Sequence, residues 1–148
     1  MIAPNTWFNR QLDSFIARVL PKSDVFQLGR FGGIDAWPVL EIMMEQSIIH
    51  HAMTEHGCLT CEDFRDFPKM ITGACAIYKS KRLDSLVLKL GFCKENQAVA
   101  VPMRRVTHPA FGPIYSVKSF YPKPEYQWKL WDDAGLLLRG QKKEPSTY

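Results

Sequence analysis

One imidazole, a short run of hydroxyls and an ammonium in this sequence could act together on a phosphodiester. The imidazole is His56, in TEHG; Ser119, Tyr121 and Lys123 lie in IYSVKSFYPK. Breaking a phosphodiester without a metal requires a base for the attacking hydroxyl, an acid for the leaving oxygen and positive charge near the phosphorane. Histidine titrates nearest neutrality, so His56 is the candidate acid or base. Ile114–Tyr121 is β-branched and aromatic and is stopped by Pro122, which predicts a strand. Alternation would put Tyr115, Val117, Ser119 and Tyr121 on one face and Ile114, Ser116, Lys118 and Phe120 on the other. Lys123, just past the strand end, is then the candidate phosphate ligand, with Ser119 a donor and Tyr121 a second proton donor or a platform for a base.

Further cations and hydroxyls sit in KSKR, where Lys79, Lys81 and Arg82 flank Ser80, and at Arg104 and Arg105. With Lys118 they make a substrate-binding set. Each of these residues also has a plainer reading. A histidine at a helix end is stabilised by the helix dipole, and lone lysines and arginines are most often solvated surface. Ser80 fits a turn, Ser119 a half-buried strand, and Tyr121 a core position. His50, His51 and His56 with Cys58 and Cys61 form H-H-x4-H-G-C-x2-C, a spacing compatible with zinc. The second cysteine pair that would close a structural site is missing, because Cys75 and Cys93 fall in expected strands where burial is favoured.

The elements that must position these groups can be read along the chain. Thr6 to about Leu20 predicts a helix with Trp7, Leu12, Phe15, Ile16 and Val19 on one side, ended by Pro21. VFQLGRFGGIDAW reads as an ordered loop. Pro38 opens a second expected helix that runs to Gly57, with Leu40, Met43, Met44, Ile48 and Ala52 buried. Thr60 and Asp63 form a capping box for a short helix over Cys61–Asp66, and Pro68 starts another turn. Four strands follow, at Ala74–Tyr78, Ser85–Phe92, Ala98–Met103 and Ile114–Tyr121. Their short links predict an antiparallel meander, and Pro102 requires an edge or a bulge in the third. A last helix over Glu125–Ala134, with Tyr126, Leu130 and Trp131 inward, is followed by a short strand LLLR. The prediction is therefore an α+β domain over residues 1–148: an N-terminal helix (1–24), a core (25–139) and a solvated tail (140–148).

Of the 148 residues 46% are hydrophobic, enough for a packed core, which argues against global disorder. The net charge of +4 favours anionic partners, nucleic acid included, without demanding them. Asn9, Arg10, Gln11 and Asp13 interrupt any signal-peptide core, and no apolar run is long enough to span a membrane. A protein of the reducing cytoplasm is expected, without a membrane partner and without a cofactor; the four cysteines are too few for a disulfide scaffold.

Four features in order carry a resemblance: FQLG at Phe26–Gly29; a helix ending in the histidine of TEHG followed by LTCEDFRDFPKMI; a strand AIYKS closed by Ser80; and IYSVKSFYPK followed by WKLWDDAGLLLR. Together, over roughly Val25 to Arg139, they resemble the phage-associated nuclease-like domains of the barnase–EndoU–colicin–RelE superfamily, toxin modules of phage head-morphogenesis and polymorphic toxin proteins. The resemblance implies helices packed on a four-stranded antiparallel sheet and metal-independent endoribonuclease activity on tRNA, mRNA or rRNA. It also implies an immunity or antitoxin partner, and delivery into a target bacterial cytoplasm as a secreted or phage-borne effector. His56 matches the family's helix-end histidine, Ser80 the serine closing its first sheet strand, and Ser119, Tyr121 and Lys123 its S-x-Y-x-K stretch. Two family positions that are commonly basic fall on Glu55 and His51, which lowers local positive charge. A catalytically inactive RNA- or protein-binding module on the same fold is the first alternative, and a small zinc-stabilised protein the second.

Overall fold

The computed structural model describes residues 2–140; the tail expected to be solvated lies, from residue 141 on, outside the described residues. The chain is α+β, as expected, but the sheet is eight-stranded and mixed rather than four-stranded and antiparallel. The expected meander is its middle: β3 (Ala76–Lys79), β4 (Ser85–Lys94), β5 (Gln97–His108) and β6 (Gly112–Val117) pair antiparallel in sequence. To this are added β1 (Phe26–Phe31) and β2 (Leu40–Met44) on the β6 side, β8 (Leu137–Gly140) on the β3 side, and the two-residue β7 (Tyr121–Pro122) on β5. Among the described residues only β2–β6 is parallel; the long crossover such a pairing needs is supplied by everything from residue 45 to β5.

Two elements correct the sequence reading. The expected loop at Val25–Trp37 contains β1, whose alternation Phe26, Leu28 is broken by a bulge at Leu28–Gly29. The expected helix from Pro38 begins as β2, with Ile42 and Met44 buried against the helices; only Gln46–Glu55 forms α2. LEIMM fits a period of two as well as one of 3.6, and pairing with both β1 and β6 decides between them.

The helix α1 (Pro4–Ile16) starts at Pro4, whose fixed φ suits a first turn, and buries Phe8, Gln11 and Leu12. Trp7, Ile16 and Val19 are exposed, against expectation. The Gln11 amide donates to Val25 O (3.0 Å) and accepts from Gln27 N (3.1 Å), which ties α1 to the edge of β1. Thr60 and Asp63 form the expected capping box, now on a 3₁₀ turn (Cys61–Phe64). The following α3 (Phe67–Thr72) is capped from α1. The Asn9 side chain accepts from Asp66 N (2.9 Å) and donates to Asp66 Oδ1 (2.7 Å), while Asn5 accepts from Lys69 N (3.1 Å). These amide donors hold the Asp66 carboxyl below its ordinary range.

One core lies between the sheet and α1–α3. A second lies on the other face, where α4 (Glu125–Asp133) covers Ala76, Tyr78, Val87 and Ala100. Trp128 is α4's buried anchor and Trp131 is half-buried, whereas Tyr126 and Leu130, expected inward, are exposed. Tyr78 donates from beneath to Asp132 Oδ1 at 2.7 Å. Burial first, then that bond, pushes the Tyr78 phenol well above its ordinary value. Asp132 is buried, so Tyr78→Phe strands its carboxyl. The expected loss is about 1–3 kcal/mol of stability, read as a lower urea midpoint with unchanged slope.

Candidate functional site

The strand expected over Ile114–Tyr121 does not run through. Val117 pairs with Met103 and Tyr121 pairs with Ala100, so four steps on one strand oppose three on the other. The extra residue is a bulge, with Lys118 N donating to Pro102 O (2.8 Å). A residue's N–H and C=O leave a strand on the same side, so the donor that Pro102 lacks would have faced this bulge. The sequence argument from Pro102 thus finds its place. One extra residue reverses the facing of everything after it. Tyr115 and Val117 belong to the helix-side core, and so does Phe120, against Phe64 (4.3 Å between centroids) and Phe67 (5.3 Å). Tyr121 instead joins the α4 side, so the single hydroxyl-bearing face expected from strict alternation does not form.

Beyond the end of β2, α2 carries the chain alongside this reversed segment. His56, the residue capping α2, stacks on Tyr121 with centroids 5.9 Å apart and planes within 17°. Lys123 follows, anchored by its N–H to Ala98 O (3.0 Å). It is only 6% exposed. Its ammonium sits 3.9 Å from the Trp131 ring, 5.6 Å from Tyr121 and 5.7 Å from Trp128, and donates to Gln127 Oε1 at 3.2 Å. A desolvated cation on an indole face gains on the order of 2 kcal/mol. Burial nevertheless lowers the Lys123 pKa and raises that of Tyr121.

His56, Tyr121 and Lys123 are thus brought together. Ser119 is half-buried within the bulge and Lys118 beside it is exposed. The other candidates gather elsewhere. Arg104 lies four residues from Ala100 along β5, a displacement of about 13 Å. At its level are Ser116 on β6, Ser85 on β4 and the β3–β4 hairpin, where Ser80 N donates to Ser85 O (3.1 Å). Ser80 Oγ accepts from Arg82 N (3.1 Å), the geometry of a turn, and Lys79 and Lys81 are exposed. Arg105 is occupied by Asp84 (3.1 Å) and by the Trp37 face. His51 is exposed on α2, whereas His50 rests against the Phe15 ring.

Cys61 Sγ lies 3.7 Å from Met53 Sδ, and among the described residues no three His, Cys, Asp or Glu side chains converge as metal ligands. Cys75 and Cys93 are exposed, not buried as their strand positions suggested. Among the described residues no helix is long and apolar enough to cross a membrane. Sequence reasoning missed the aromatic box itself. Its signal was there in KPEYQWKLW, a lysine followed by two tryptophans three apart, which one helical face can fold back over the lysine.

Comparison with protein-family models, with curated proteins and with solved structures finds no match to this chain.

Because burial disfavours the Lys123 ammonium, the folded state releases that proton more readily than the unfolded chain. The associated penalty is present in full at neutral pH and disappears as pH rises toward the ordinary lysine value. The melting temperature of wild type relative to Lys123→Met should therefore climb between about pH 7 and 10. A flat difference in paired thermal melts would refute this.

Proposed function

We propose that the chain is a metal-independent endoribonuclease of toxin type. The observation that supports this most is the stacking of His56 on Tyr121, with the Lys123 ammonium 5.6 Å from the same ring. A helix end and a strand distant in sequence converge on one acid–base pair. In this reading His56 takes the proton of the RNA 2′-hydroxyl as that oxygen attacks phosphorus. The bond to the 5′-oxygen breaks, and the leaving oxygen receives a proton from Tyr121 or from the protonated histidine. The products are a 2′,3′-cyclic phosphate and a 5′-hydroxyl. Ser119 is the hydroxyl available to the phosphate, and the positive potential comes from the exposed Lys118 and the buried Lys123. His51, Lys79, Ser80, Lys81 and Arg104 would contact the strand farther along. An immunity or antitoxin protein with an acidic face, and action in a bacterial cytoplasm, belong to the same proposal.

The burial of Lys123 favours a second reading. An ammonium already held by an indole and an amide oxygen is poorly placed to grip phosphate directly, as a non-catalytic binding module on this scaffold would tolerate. Both readings are tested with purified protein on tRNA, mRNA and rRNA in EDTA, from about pH 5 to 8. The nuclease reading expects cyclic-phosphate termini, and a loss of about 10²–10⁴-fold in His56→Ala with the fold intact. Tyr121→Phe should lose less if His56 serves as both base and acid. Uncut RNA whose binding weakens steeply with salt would select the binding module.

A further inference from the structure

The two ends of the sheet order, β1 and β8, share a pocket. A cavity of about 430 Å³ is lined by Arg30 and Gly32 from the β1 end, by Ile71–Thr72 and Ala74–Ile77, and by Arg139 and Gly140 from β8. The sheet is therefore curled far enough for its first and last strands to face one space, and the α3–β3 connection forms the wall between them. Both lips require glycine. Gly32 has φ +129°, and a Cβ there would overlap the Pro38 carbonyl; Gly140 has φ +116°, and its Cβ would stand 2.5 Å from Cys75 O.

The chemistry of the lining is one-sided. Two arginines are among the residues that line the cavity, and among the described residues no carboxylate lines it. Arg139 makes no ion pair among the described residues, and the Arg30 pairing with Glu41 is long, at 3.7 Å, and exposed on both sides. Such a pair is weak and easily exchanged for a better anion. The neighbouring backbone donors are already committed, Ala74 N to Ile71 O and Cys75 N to Lys89 O. Thr72 Oγ1 donates to Pro68 O (3.1 Å). The forked donors of the arginines match phosphate oxygens. Phe31, Ile71 and Ile77 supply an apolar wall beside them, and the volume lies within the range of small-molecule sites.

We propose that this pocket binds a small phosphate monoester carried on an apolar or aromatic body, a nucleoside monophosphate being the type, with Arg30 and Arg139 clamping the phosphate. The site shares no wall residue with His56, Tyr121 or Lys123, so it stands or falls separately from RNA cleavage. Cys75, an exposed residue of the lining, provides a readout by its alkylation rate, and the exposed Cys93, which is not part of the lining, provides a reference.

The test is alkylation of the full-length protein by iodoacetamide, followed by peptide mass at both cysteines, with AMP, inorganic phosphate or succinate added. AMP should slow Cys75 relative to Cys93. Arg30→Gln and Arg139→Gln, both at exposed positions, should each raise the AMP concentration needed by roughly tenfold. Inorganic phosphate should protect more weakly and succinate should not protect. No protection by millimolar AMP, equal protection in the arginine variants, or protection by phosphate or succinate matching that by AMP would overturn the proposal.

Discussion

The bulge opposite Pro102 is the constraint on which the rest of the structure depends. A regular strand from Ile114 to Tyr121 would keep Tyr121 on the side of Tyr115 and Val117, inside the helix-side core. One additional residue between Val117 and Tyr121 sends Phe120 into that core and Tyr121 and Lys123 to the opposite face. The reversal follows from the two-residue period of a strand, which turns a shift of one into an exchange of sides. Proline is well suited to the facing position, since the bulged strand no longer needs a donor there.

The exchange of sides creates two unlike environments around one short segment. Phe120 meets three other phenylalanines, Phe64, Phe67 and Phe92, and fixes the segment in depth. One residue later, the Tyr121 ring has the imidazole of His56 at 5.9 Å and the ammonium of Lys123 at 5.6 Å. Lys123 is in turn enclosed by Trp128 and Trp131, so α4 is locked to the sheet by a cation as well as by apolar area. A group under such enclosure is disfavoured in its charged form, and its pKa direction follows from that. The placement of His56 therefore rests on packing from both faces of the sheet.

The helical side is held with equal economy. Arg65 bonds Asp13 (2.8 Å) on α1 and Glu62 (2.7 Å) on the 3₁₀ turn, and both raise its already high pKa. Asn5 and Asn9 cap α3 from α1, and Asp63 holds Lys94 of β4 at 3.2 Å as well as closing the capping box. Apart from the Arg65–Glu62 pair and the capping box, these polar ties join residues distant in sequence. They fix how α1 and the α2–α3 segment sit on a sheet whose outer strands come from both ends of the described chain.

By itself the sequence determined whatever depends on neighbours along the chain. The α+β class, the β3–β6 meander, the Thr60–Asp63 cap, the last helix and the strand after it all follow from short-range periodicity and turn chemistry. At Pro102 an edge or a bulge in the third strand was legible for the same reason, since a missing donor is a local fact; the extra residue itself lies on the facing segment, between Val117 and Tyr121. Only the tertiary structure decided the rest. Leu40–Met44 became a strand because two partners were available to it, and β2 beside β6 joins segments that no local pattern relates. Tyr126 and Leu130 face outward because the register of α4 is set by Trp128 and Lys123 beneath it. The facing of Tyr121 and Lys123 depends on counting residues against β5, and that count exists only once the strands are paired.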